Sequence, residues 1–133
     1  AENAIVVASG ANRATNVRQL EACGFGPGDT LVLQREIPDS ETFAAVGLAK
    51  QRGARVILNV APAGPIPPET LSELDVLVVN EHEALTVAKA AGLETSDPEE
   101  AVRLIAERHG CATIVTLGAD GAVGWTGGVR RAA

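Results

Sequence analysis

Four short apolar runs, separated by stretches with helical spacing, constrain this chain more than any other feature of its sequence. The runs are Thr30-Leu31-Val32-Leu33-Gln34, Arg55-Val56-Ile57-Leu58-Asn59-Val60, Asp75-Val76-Leu77-Val78-Val79 and the segment from Cys111 to Leu117. Each has the length and β-branched content of a strand. The first is a continuous apolar run of the kind buried on both faces of a sheet. Ala4-Ile5-Val6-Val7-Ala8 reads as a further strand before them, ended by Ser9-Gly10-Ala11-Asn12. The intervening segments predict helices over residues 17–23, 40–52, 81–91 and 98–109, with a short helical turn over 69–73. In the second of these, Phe43, Val46, Gly47 and Lys50 recur at helical spacing, and Gly53 is its stop. Asp97 caps the last long helix, with Glu100 three residues on. Crossovers of this length join parallel strands. The expected fold class is therefore α/β, a mostly parallel sheet flanked by helices in three layers (αβα), with residues 121–126 forming one arm of a hairpin.

In open α/β sheets ligands bind in the crevice outside the carboxyl ends of the strands. Three strand ends here carry chemistry suited to that place. Asn80-Glu81-His82-Glu83 follows Val79 directly. Asn at a helix N-cap with Glu at the third helical position makes a capping box, which satisfies two orphan amides. The same pair is suited to ligand binding, since the helix N-terminus attracts phosphate and Glu83 can help hold a Mg2+ ion that screens phosphoryl charge. Glu36 follows the first apolar run and precedes Ile37-Pro38, which keeps the chain extended. Its carboxylate can accept hydrogen bonds from a polyol, or it is a solvated side chain beside Arg35. Thr116-Leu117-Gly118-Ala119-Asp120-Gly121 closes the last run with a glycine-bracketed loop, which is either a plain hairpin turn or a place where backbone approaches a nucleotide. Asn59 is expected to fix its own loop.

Composition removes other classes. Eleven basic and 17 acidic residues give a formal charge of -6, with no basic run, so nucleic acid and anionic membrane are not expected partners. Cys23 and Cys111 stand far apart without a CxxC, and His82 and His109, expected at the surface near helix ends, complete no zinc spacing. That pattern fits a reducing, cytoplasmic setting. Aromatic residues are 2% of the chain, so polar groups and backbone must hold any ligand. A Rossmann oxidoreductase is disfavoured, because the glycines at 118, 121 and 124 lead into an extended segment, not a helix.

The ordered set Ala8-Ser9-Gly10-Ala11-Asn12, Leu33-Gln34-Arg35-Glu36-Ile37-Pro38, Leu58-Asn59-Val60-Ala61-Pro62-Ala63, residues 75–83, and Val115-Thr116-Leu117-Gly118-Ala119-Asp120-Gly121 resembles the ribokinase-like PfkB family of carbohydrate kinases. The resemblance implies a kinase that moves the ATP γ-phosphoryl group to a primary hydroxyl of ribose or a similar sugar. It implies sugar contact for Glu36, nucleotide contact for Asn80, Thr116, Leu117, Gly118, Ala119, Asp120 and Gly121, and magnesium for Glu83. ATP and Mg2+ are the implied cofactors, and a monovalent cation and a homodimer are compatible with it. Two departures are visible: Val60 and Val79 stand where the family pattern has proline. The glycine-rich sugar-binding segment, the lid strands, and the Gly-Ala-Gly-Asp segment with the family's base Asp have no counterpart. Residues 1–133 are thus expected to be the central α/β part of such a domain, truncated at both ends and inactive alone. A non-catalytic nucleotide- or sugar-binding module is the rival expectation.

Overall fold

The computed structural model describes residues 9–133, so the strand expected over residues 4–8 lies outside the described residues. Strands β1 (Thr30–Gln34), β2 (Arg55–Asn59), β3 (Val76–Asn80) and β4 (Ala112–Thr116) are parallel and stand in sequential order. Strands β5 (Ala122–Thr126) and β6 (Val129–Ala132) continue the sheet antiparallel, so the expected hairpin arm is present. The connections carry helices α2 (Asp39–Gln51), α3 (Pro68–Glu73), α4 (Glu81–Ala90) and α5 (Pro98–His109), while α1 (Val17–Glu21) precedes β1. A mostly parallel sheet flanked by helices is the expected fold class. Among the described residues no helix is long and apolar enough to cross a membrane.

Sequential order has a consequence for the layers. Right-handed crossovers between neighbouring parallel strands place every connecting helix on one face of the sheet. Burial alternates accordingly: Leu33, Val56, Leu58, Leu77, Val79, Val115 and Val123 are sealed in the core with Val46, Leu71, Val87 and Ile105. The opposite face presents Val32, Ile57, Val78 and Ile114, none of which is fully buried, and Val32 is 65% exposed. The described residues supply the sheet and one helical layer. The expectation that residues 30–34 are buried on both faces is corrected here. Among the described residues β1 lies at the edge of the sheet and only its Leu33 is buried.

Local chemistry explains the helices and two further differences. In α2 the buried stripe is Thr42, Ala45, Val46 and Ala49, one step away from the expected Phe43-Val46-Gly47-Lys50 set. Small residues there let the helix lie close to the sheet, and Lys50 reaches out to Asp75 instead. At α5 the Asp97 carboxylate accepts from the Glu99 amide at 3.0 Å, while Glu100 is engaged by Arg103. His109, expected at the surface, is half-buried and meets the Ser72 hydroxyl at 3.1 Å, tying α5 to α3.

Asp75 fastens the amino ends of three strands. Its carboxylate accepts from the Val56 amide at 2.7 Å and from Lys50 at 3.1 Å, and its backbone bonds to Val56 and Ala112. Burial alone would raise its pKa, but these hydrogen bonds and the nearby Lys50 and Arg55 hold it below the ordinary 3.8. A depressed carboxylate contributes stability that is fully present above the unfolded pKa and is lost as pH falls through the folded value. Asp75→Ala is expected to lower stability by about 1–3 kcal/mol at neutral pH. In urea unfolding the deficit against wild type should shrink once the pH drops below the carboxylate range.

Candidate functional site

The carboxyl ends of β1 to β4 all open on the same rim of the sheet, because the four strands are parallel and in register. Three adjoining depressions run along that rim. The first, about 650 Å3, is lined by Ser9, Arg13, Arg35, Glu36, Ile37, Pro38, Ala61 and Pro62. The second, about 290 Å3, is lined by Asn59, Ala61, Asn80, Glu83 and Thr116 together with Val78 and Val79. The third holds Asn80, Glu81, His82, Thr116 and Gly118. Ala61 is shared by the first two, and Asn80 and Thr116 by the second and third. Depressions of a few hundred Å3 each suit the parts of a small-molecule ligand.

At the centre, the Asn80 side chain accepts from the Glu83 amide at 2.9 Å and the Asn80 amide donates to Glu83 Oε2 at 2.8 Å. The capping box is therefore formed. It does more than end a helix, because it holds a carboxylate that is 6% exposed at the floor of the second depression. Asn80 itself is exposed at its rim, opposite Thr116 in the β3–β4 register. The Thr116 hydroxyl donates to the Val79 carbonyl at 3.5 Å. Among the described residues no group of three or more His, Cys, Asp or Glu side chains could hold a metal alone. One buried carboxylate fits Mg2+, which binds through one or two carboxylates and takes its other oxygens from phosphate and water.

The loop from Thr116 to Gly121 is the hairpin turn between β4 and β5, and part of it lines the rim as well. Its interior is self-closed: the Leu117 amide donates to the Gly121 carbonyl at 2.8 Å and the Asp120 amide to Leu117 at 3.1 Å. Thr116 and Gly118 line the depressions, whereas Leu117, Ala119, Asp120 and Gly121 do not. Gly118 takes φ +59°, which a side-chain-bearing residue rarely adopts.

Glu36 is exposed in the first depression, next to the second. Its neighbour Arg35 is 8% exposed. Arg35 donates to both carboxylate oxygens of Asp39 and to the Pro62 carbonyl. Ser9 and Arg13 on the first depression, and Asn59 on the second, are rim residues the sequence did not single out as ligand contacts. No local pattern announces Ser9 and Arg13, since only the packing of the segment before β1 brings them there, whereas Asn59, expected to fix its own loop, stands at the end of β2.

A family model described as pfkB family carbohydrate kinase matches residues 1–131. The chain belongs to the PfkB family of carbohydrate kinases. Ribokinase of Haemophilus influenzae is 40% identical over 126 residues, covering 90% of this chain and 40% of that protein. The crystal structure of ribokinase from Thermotoga maritima superposes with a TM-score of 0.77 at 28% identity, over 99% of this chain and 43% of that one. The structure of Arabidopsis thaliana ribokinase complexed with ribose and ATP has a TM-score of 0.63 at 31% identity, over 78% of this chain and 34% of that one. The chain thus spans about two fifths of the length of the PfkB relatives it matches.

The capping box separates helix stability from ligand chemistry. Asn80→Ala should lose the cap and cost about 1 kcal/mol. Glu83→Gln keeps a carbonyl oxygen for the Asn80 amide, so its chemical-denaturation midpoint should stay close to that of wild type. A large stability loss in Glu83→Gln would show that the buried charge itself holds α4 in place.

Proposed function

We propose that this chain forms the sugar- and nucleotide-holding part of an ATP-dependent kinase that phosphorylates a primary hydroxyl of ribose or a similar sugar. The observation that supports the reading most is that the depression holding Glu36 shares Ala61 with the one holding Glu83, which in turn shares Asn80 and Thr116 with the third. In this reading Glu36 accepts hydrogen bonds from sugar hydroxyls. Asn80, Thr116 and Gly118 hold nucleotide phosphate, with Leu117, Ala119, Asp120 and Gly121 shaping the nucleotide loop behind them. Glu83, through one free carboxylate oxygen, orients a Mg2+ ion, and that ion supplies charge neutralisation for the phosphates. The N-terminus of α4 adds its positive end to the same place.

What the described residues contribute to such a reaction is alignment. Phosphoryl transfer draws mainly on positioning and electrostatic stabilisation, and a rigid rim of parallel strand ends provides fixed attachment points. Residues 1–133 serve as the central part of the family domain, and the role proposed for them is to hold and align ligand. The unpaired thiols, Cys23 exposed and Cys111 buried, accord with a cytoplasmic setting.

Calorimetric titration with ribose and with MgATP tests the reading. Glu36→Gln should weaken ribose about tenfold with little change for MgATP, and Glu83→Gln should weaken MgATP but not magnesium-free ATP. Binding of neither ligand would count against it.

A further inference from the structure

Arg35 is a buried charge next to an exposed functional carboxylate, and the reading of Glu36 as a sugar ligand gives it no task. Its guanidinium donates through Nε to Asp39 Oδ1 at 3.1 Å and through a second nitrogen to Asp39 Oδ2 at 2.6 Å. The third nitrogen donates to the Pro62 carbonyl at 3.2 Å. Its own amide donates to the Ala61 carbonyl at 3.0 Å, which extends the β1–β2 ladder beyond the strands. Gly64 lies buried against the guanidinium, and a Cβ there would overlap it. One side chain therefore binds the first turn of α2, the loop after β2 and the end of β1 into a single unit. A planar fork makes such a three-way contact, and a lysine ammonium does not.

Both sides of that unit face the first depression, Glu36 and Pro38 from the β1 side, Ala61 and Pro62 from the other. A pocket wall made of two loops has a width set by whatever crosses between them. Here the crossing is a charge-assisted clamp whose guanidinium is buried, and the half-exposed Asp39 compensates that charge. We propose that Arg35 is the positioning residue of the sugar pocket, fixing the Ala61–Pro62 wall at a set distance from Glu36 so that both address one sugar. This rests on the sugar-pocket reading above.

The test is a pair of titrations of the intact chain, one with ribose and one with MgATP, followed by backbone amide chemical shifts. Wild type is compared with Arg35→Leu, Arg35→Lys and Gly64→Ala. Gly64→Ala keeps the arginine and its charge but pushes the guanidinium aside, so it reports on geometry even where Arg35→Leu unfolds. Arg35→Leu and Gly64→Ala should each weaken ribose about tenfold or more, move the Glu36 and Ala61 amides, and leave MgATP affinity within about twofold. Arg35→Lys should fall between, because lysine reaches Asp39 without also holding Pro62. Ribose affinity unchanged in the folded variants overturns the inference and leaves the sugar-pocket reading standing. Equal loss of ribose and MgATP affinity also overturns it, since that is the mark of general destabilisation. Wild type that takes MgATP and no ribose overturns the sugar-pocket reading and this inference together.

Discussion

The sequential order of four parallel strands governs the rest of this structure. Parallel pairing sends every connection back across the sheet, and right-handed crossovers keep those connections on one side. Two results follow from that geometry. The helices pack their small and aliphatic residues on a single face, and all four carboxyl ends meet on one rim. Glu36, Asn59, Asn80 and Thr116 are separated by up to 80 positions in sequence and become neighbours because each is the residue at or just after a strand end.

The rim is held from both ends of the sheet by charge. At the amino ends Asp75 gathers the starts of β2, β3 and β4 through one carboxylate and two backbone groups. At the carboxyl ends the Asn80–Glu83 box and the Arg35–Asp39 clamp set two of the four handovers. These contacts are short, and the Glu83 and Arg35 groups are nearly buried, so each resists the thermal spread that would blur a binding site. Rigidity of this kind matters more for a phosphoryl-transfer scaffold than for a surface that recognises by shape alone, because misplacement of a reacting group by about 1 Å costs rate steeply.

Much of this was legible in the sequence, and the limits have physical causes. The strand and helix segments follow from period and from stop signals such as Gly53, and the Asn80–Glu83 box is a spacing rule with one geometric solution. Glu36 was legible as a rim residue because Pro38 holds the chain extended after β1. The degree of burial was less accessible. Val32 reads as core yet is exposed, since its face of the sheet carries no helix among the described residues. The burial of Arg35 is not marked in the sequence, because Pro62 and Gly64, which cover it, come from a loop 27 and more positions away. The interior bonding of the Thr116 to Gly121 loop likewise depends on how β5 returns along β4.

On this reading the strand ends form one continuous ligand rim. Paramagnetic broadening of backbone amides by MnATP tests it most directly, because the effect falls steeply with distance from the ion. The strongest broadening is expected at Asn80, Glu83, Thr116 and Gly118, with a weaker effect at Glu36 and none at the opposite strand ends, Thr30, Arg55 and Ala112. Broadening centred on those amino ends, or on the outer surface of α5, would contradict it.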